Sequence, residues 1–133
     1  CGSVGPMYGR TTVRAILSLP NVVVADQFNS LAGLGFTGLE TLFSGRILIT
    51  SWDRAGHSRV YSEPAPLLAA SNAHEIAVQL REVTIMSMEE RQAFGQRARR
   101  WAIRCHGQQT IMPQVVAMLE NAQADRRRYD ATR

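Results

Sequence analysis

Apolar and polar positions along the chain switch repeatedly between a helical and a strand period. Val13, Ile16 and Leu17 recur at helical spacing over residues 12–19 until Pro20 stops the pattern, which predicts a short amphipathic helix. Residues 21–25 form a β-branched run with no polar break, as expected of a parallel strand covered on both faces. Residues 26–32 read as loop and 39–43 as a brief helix. Ser44-Gly45 is its natural stop, because glycine is preferred just past a helix end. A second strand is expected over 46–50 and a polar connection over 51–62. Pro64 and Pro66 then bracket the entry to an edge strand at 67–70.

Three helices close the chain. Asn72 with Glu75 forms a capping-box pattern ahead of Ile76, Leu80 and Val83. Ser87 with Glu90 repeats it, and Phe94, Ala98, Trp101 and Cys105 mark the buried stripe of a longer helix ending near His106-Gly107. Ile111, Val115, Met118, Leu119 and Ala122 share one face of the last helix, where Pro113 is admissible if it falls in the first turn. The fold class implied is α/β, a Rossmann-like, doubly wound parallel sheet with helices on both faces. Residues 1–10 offer no strong strand, so the sheet is expected to be truncated at its N-terminal side. The expected division is an extension or remnant at 1–11, an α/β domain at 12–124 and a polar tail at 125–133.

Composition narrows the function classes. Among 133 residues, 45% are hydrophobic and 20% charged, which favours an ordinary folded domain over disorder. The net charge is +4, and all 15 basic residues are arginine, so lysine chemistry is excluded within the chain. The arginine-only set reads first as compositional, although a guanidinium also suits bidentate contact with phosphate. No apolar run approaches the roughly 20 residues that cross a bilayer, and no secretory-type leader opens the chain. The first residue is Cys1 rather than Met, which suggests a trimmed or tagged start. A cytoplasmic location is expected. Arg97, Arg100 and Arg104 at helical spacing, with Arg126 to Arg128, make peripheral contact with an anionic membrane a minority alternative to a solvated face. Nucleic acid is not expected as a partner, because no aromatic residues interleave with the arginines. Cys1 and Cys105 lie far apart and in no metal-ligand spacing, so neither a disulfide scaffold nor a metal site is expected.

The chemistry concentrates in the glycines. Gly33-Leu34-Gly35-Phe36-Thr37-Gly38 matches G-x-G-x-x-G and precedes a helix, which brings a dinucleotide site to mind. In that fingerprint the strand runs straight into the first glycine, whereas here seven residues separate Ala25 from Gly33. A more general reading asks less: glycines admit a ligand to the backbone, and N–H groups at a helix start attract a diphosphate. Glu40, expected in the first turn, is either an acceptor for ribose hydroxyls or a surface carboxylate complementing the helix dipole. His106 is expected to cap a helix end, His74 to be solvated and Trp101 to be core. Asp26 and His57 join the candidates as groups beyond the strand ends, where open α/β sheets bind ligands.

Asp26-Gln27-Phe28, the glycines, Leu39-Glu40-Thr41-Leu42-Phe43-Ser44-Gly45-Arg46 and the apolar strand that follows resemble the donor-binding, C-terminal domain of retaining GT-B glycosyltransferases. The family motif G-x-x-x-x-E-A-x-A-x-G-x-P-V-I is matched by Gly35, Glu40, Gly45 and the run from Arg46 to Ile49, with Arg46-Ile47 in place of its basic residue and proline. Residues 61–70 resemble the segment before the family's next helix. Residues 91–106, read as R-x-x-x-G-x-x-A-R-x-W-x-x-x-x-H, resemble its C-terminal helix. The resemblance implies a nucleotide-sugar site formed by Gly33, Gly35, Phe36, Thr37, Gly38 and Glu40, with Glu40 on the ribose and the glycines against the diphosphate. It implies no separate cofactor, the nucleotide diphosphate sugar being substrate. The family's first glutamate, eight residues before the second, is Ala32 here, and its upstream Arg and Lys pair has no counterpart. The expected function is therefore donor binding for transfer of a sugar to an acceptor hydroxyl, inactive without an acceptor domain or partner chain. A dinucleotide-dependent oxidoreductase fragment and a non-catalytic domain that binds a nucleotide or a protein remain as alternatives.

Overall fold

The computed structural model describes residues 9–26 and 34–131. Helix α1 (Arg10–Ser18) stops ahead of Pro20, and a distant side chain closes its end. Arg46 Nε donates to the Leu17 carbonyl at 2.7 Å and its Nη2 to that of Ser18 at 3.1 Å, placing a cation on the negative pole of the helix. Strand β1 (Val23–Asp26), helix α2 (Phe36–Phe43) and strand β2 (Ile47–Thr50) then form a parallel β-α-β unit, Val23 pairing with Ile47 and Asp26 with Thr50. Ser44-Gly45 ends α2 as expected, Gly45 taking the left-handed φ of 67° that glycine adopts without strain.

Strand β3 (Leu68–Ala69) pairs in parallel with β2, so the sheet order is β1-β2-β3. The described residues are thus α/β, with a small three-stranded parallel sheet among helices. β3 is the edge strand the prolines predict. The two-sided cover expected for residues 21–25 belongs to β2 instead, whose four residues are all buried, whereas Ala25 of β1 is exposed. A β-branched run reports strand propensity, and cover depends on which strand the others flank. Helix α3 (Arg54–His57) occupies the stretch expected to be irregular; its four residues are too few to show a period.

Helix α4 (Ala73–Ile85) is capped by Asn72, which accepts from Glu75 N at 3.0 Å. The Glu75 carboxylate bonds to Ser71 N at 2.7 Å and to Asn72 Nδ2 at 2.8 Å, a variant of the expected reciprocal box. In helix α5 (Met88–His106) the box is complete, with Glu90 N to Ser87 Oγ at 3.1 Å and Ser87 N to Glu90 Oε2 at 2.7 Å. Helix α6 (Gln108–Ala131) starts directly after Gly107, so Pro113 lies in its second turn and deprives the Gln109 carbonyl of its helical donor. The same helix continues through residues 125–131, read from sequence as a tail. Along its expected apolar face Ile111 and Val115 are half-buried, but Met118 and Leu119 are 63% and 55% exposed. No helix among the described residues is long and apolar enough to cross a membrane.

Leu42 of α2, Leu48 of β2 and Ala98, Trp101 and Ala102 of α5 form the buried core. Of the predicted stripe, Ala98 and Trp101 are fully buried and Phe94 and Cys105 partly so. Gly95 is what lets α5 come so close: a Cβ there would overlap the Gly45 carbonyl oxygen. Gly95→Ala should therefore lower the free energy of unfolding by about 1–3 kcal/mol through overpacking against backbone. Urea denaturation measures this directly, and a change within about 0.5 kcal/mol, typical of an open surface site, would show that α5 does not rest on that corner.

Candidate functional site

Because β1 and β2 are parallel and end together at the Asp26–Thr50 pair, the chain leaves both at one edge of the sheet. From there β2 runs through Trp52 into α3, and α2 must begin at this edge to return the chain to the start of β2. Ligands of open α/β sheets collect beyond such carboxyl ends, where helix starts supply unpaired N–H groups.

Gly33 lies outside the described residues, as do Ala32 and the rest of the expected loop from Gln27. Asp26, the last residue of β1, is half-buried. Gly35 is the N-cap of α2 with φ −73° and ψ 175°, an extended backbone open to any residue, and no side chain closes the first turn. Phe36, 90% exposed, and Thr37 open the helix. The helix begins three residues before the position expected from sequence, which changes two assignments. Gly38 is inside the helix and buried, where a Cβ would stand 3.3 Å from Leu48 Cδ2, so its role is close packing on β2 rather than ligand approach. Glu40 moves to the second turn, and the first turn holds no acidic residue. It is half-buried, and the reading of Glu40 as a first-turn carboxylate opposing the dipole falls away. Sequence periodicity missed the first turn because Gly38 is a poor helix former, tolerated here for packing.

Beyond the end of β2 lies a cavity of about 190 Å³ lined by Trp52, Arg54, His57, Tyr61 and Glu63 among others. The Asp53 carboxylate accepts from Ala55 N at 3.0 Å and so starts α3. His57 stacks on Trp52 with ring centroids 3.6 Å apart. Its Nδ1 lies 2.5 Å from the Asp53 carbonyl oxygen, which can only accept, so Nδ1 carries a proton and Nε2 is the ring nitrogen left for a ligand. Of the candidates named from sequence, His57 is therefore placed with groups that could meet a ligand.

The back of the cavity is fixed by α5. Tyr61 packs 5.1 Å from Trp101 and 5.5 Å from His106, and its hydroxyl is 3.1 Å from His106 Nε2. Burial pushes the His106 pKa down; burial, then the nearby Cys105, pushes that of Tyr61 up. Both groups stay neutral near pH 7, with Tyr61 donating and His106 accepting. The expected reading of His106 as a favourable helix-end cation is thus replaced by a neutral, half-buried partner. Trp101 Nε1 donates to the Glu63 carbonyl at 3.4 Å, while Arg104 holds Glu63 Oε1 through Nε at 3.0 Å and Nη2 at 2.6 Å. Burial also raises the Cys105 pKa, keeping the thiol protonated and unreactive. His74 is exposed, as expected.

Sequence reasoning passed over Tyr61, Glu63 and Arg104 as site residues. The available signal was an aromatic and an acid within a short polar connection, and their partners lie about forty residues on. What results is an edge with N–H donors at α2, an indole and imidazole stack that presents His57 Nε2, an acceptor at Glu63 and a cation at Arg54. Among the described residues no group of three or more His, Cys, Asp or Glu side chains is placed to hold a metal ion.

The Tyr61–His106 contact has a pH signature. In the unfolded chain His106 protonates near its ordinary 6.5, and in the folded chain at lower pH. Below 6.5 the unfolded state holds more protons, so unfolding free energy falls as pH drops through the window beneath that value and is recovered above it. An NMR titration should place the His106 imidazole below 6.5, and His106→Gln should flatten the stability slope between pH 7 and 5, the conditions chosen for the test. A His106 titration at or above its ordinary value would remove burial as the controlling influence.

No family model, curated protein or solved structure matches the chain, so what this edge does has to be read from its residues.

Proposed function

We propose that the carboxyl edge of the sheet binds a nucleoside diphosphate sugar, and that the chain is the donor-binding, Rossmann-like domain of a GT-B glycosyltransferase. The observation that carries this reading is the start of α2, capped by Gly35 with no side-chain cap and no acidic residue in the first turn, beside the end of β1. Such a terminus leaves N–H groups and the positive helix pole for a diphosphate. Glu40, one turn further on, takes the ribose hydroxyls, and Asp26 and His57 stand at the ends of the two neighbouring strands. In sugar transfer the negative charge that grows on the leaving diphosphate is stabilised by the same fixed dipoles. The acceptor hydroxyl would be presented by a second domain or a partner chain, and this domain supplies the donor grip.

One observation favours a second reading. Gly38 seats α2 closely on Leu48, which is the part played by the third glycine of a dinucleotide fingerprint. The nucleotide itself separates the two. Calorimetry with UDP, GDP and NAD should show binding of UDP or GDP and none of NAD, whereas preference for NAD would assign the edge to a dinucleotide. Glu40→Ala should weaken the bound nucleotide about ten- to a hundredfold, and Glu40→Gln less, as expected for loss of a hydrogen bond to a charged group. Gly35→Val, compatible with the extended backbone at that position, should abolish binding by filling the approach to the first-turn N–H groups. Silence toward all three nucleotides, or wild-type affinity in both Glu40 variants, would overturn the reading.

A further inference from the structure

The amino ends of the strands enclose a second concavity, remote from the edge assigned to the donor. β1 and β2 both enter the sheet there from left-handed corners, Asn21 at φ 65° and Gly45 at φ 67°, and α5 crosses the same end with Gly95 on Gly45. Between these elements lies a cavity of about 220 Å³ whose apolar lining includes Val23, Ile47 and Met88. Its charged lining is Arg46, Arg91 and Arg99, and among the described residues no carboxylate lines it.

The three guanidiniums are permanently charged and differ in how far they are occupied. Arg46 is bound to two carbonyls of α1. Arg91 donates from Nη2 to the Thr84 carbonyl at 3.1 Å, but its buried Nε has no acceptor. Arg99 is exposed, and among the described residues no acidic group pairs with it. Gln92 and Gln96 add amide donors from the same stretch of α5. Cations converging on one concavity without a counter-charge repel one another, and a tetrahedral oxyanion relieves this while accepting forked N–H donors. At roughly 30 Å³ per water in the liquid, the space exceeds what one phosphate group needs.

We propose that this cavity is a binding site for a phosphomonoester, whose phosphate is held by Arg99 and Arg91 and whose organic part lies on the apolar lining. The site is independent of the donor reading, since it sits at the opposite end of the strands and shares no residue with it.

Arg99→Gln is the clean test, because the Arg99 guanidinium makes no hydrogen bond or ion pair among the described residues and the substitution keeps the Cβ that lies near Gly45. The probes are inorganic phosphate, glycerol phosphate and vesicles of phosphatidylcholine with or without phosphatidic acid. Phosphate and glycerol phosphate should raise the Tm saturably and beyond sodium chloride of equal ionic strength. Arg99→Gln should weaken that response about tenfold with its own Tm unchanged, and Gly35→Val should leave the response intact. Co-sedimentation with phosphatidic acid vesicles, lost in Arg99→Gln, would identify a lipid headgroup as the source; a soluble response alone would identify a small phosphorylated molecule. Stabilisation matched by chloride, or a phosphate response kept in Arg99→Gln, overturns the proposal. A response lost in Gly35→Val instead moves the anion to the start of α2, and equally overturns it.

Discussion

The backbone of α5 can lie on the corner between α2 and β2 only because residue 95 has no side chain, and the rest of the helix follows from that approach. With Gly95 seated on Gly45, Ala98 and Ala102 keep the helix close to α2 and β2, and Trp101 fills the remaining space with no exposure. The 19 residues of α5 span about 28 Å at 1.5 Å per residue, enough to cross the sheet from one edge to the other. Arg91 in its first turn and Arg99 past its middle therefore line the amino-edge cavity. Its end meets Tyr61 and Glu63 beyond the carboxyl edge. One helix, positioned by one absent methyl group, shapes both concavities.

Energetics decide which contacts hold the connection between β2 and β3. Arg104 and Glu63 form a close ion pair, but their side chains are 55% and 41% exposed, and such pairs contribute about 0–1 kcal/mol. Burial of Trp101 is the larger effect, since truncating a buried tryptophan costs about 3–5 kcal/mol. Tyr61 packs on that indole and hydrogen-bonds His106, so the aromatic wall of the carboxyl-edge cavity is anchored from the core outward. The ion pair trims an arrangement that packing has already made.

What was legible in the sequence is what is local. Ser87 with Glu90, Asn72 with Glu75 and the Ser44-Gly45 stop are read correctly because caps act within a turn. The stripe through Ala98 and Trp101 is legible for the same reason. The start of α2 is not, because Gly38 suits a packing contact with Leu48 that lies outside any local window. That contact moves Glu40 from the first turn to the second, and with it the geometry any ribose ligand would meet. Nor is the link from Tyr61 to His106 legible, since forty-five residues separate the partners. The run from Arg91 to His106, notable in sequence as a motif, is in the fold a seam: Gly95, Ala98 and Trp101 face the core and His106 closes on Tyr61.

The arginine-only composition also acquires a physical meaning. Arg46 binds two successive carbonyls at the end of α1 from different nitrogens, and Arg104 brings two nitrogens to one carboxylate oxygen. A lysine ammonium, a point charge on a flexible stem, would not reproduce either fork. Arg91 bonds the last turn of α4, and Arg97 lies over the Phe94 ring at 5.4 Å. Two members of the row Arg97, Arg100 and Arg104 thus also make contacts within the protein, Arg97 with the Phe94 ring and Arg104 with Glu63. Composition accounts for how many arginines there are, whereas the forked donors account for where several of them stand. Arg99 falls in neither group of contacts, yet it stands on the seam helix at a concavity that, among the described residues, holds two other arginines and no acid. On the proposal made above, a bound phosphate is what would bring negative charge to that arginine.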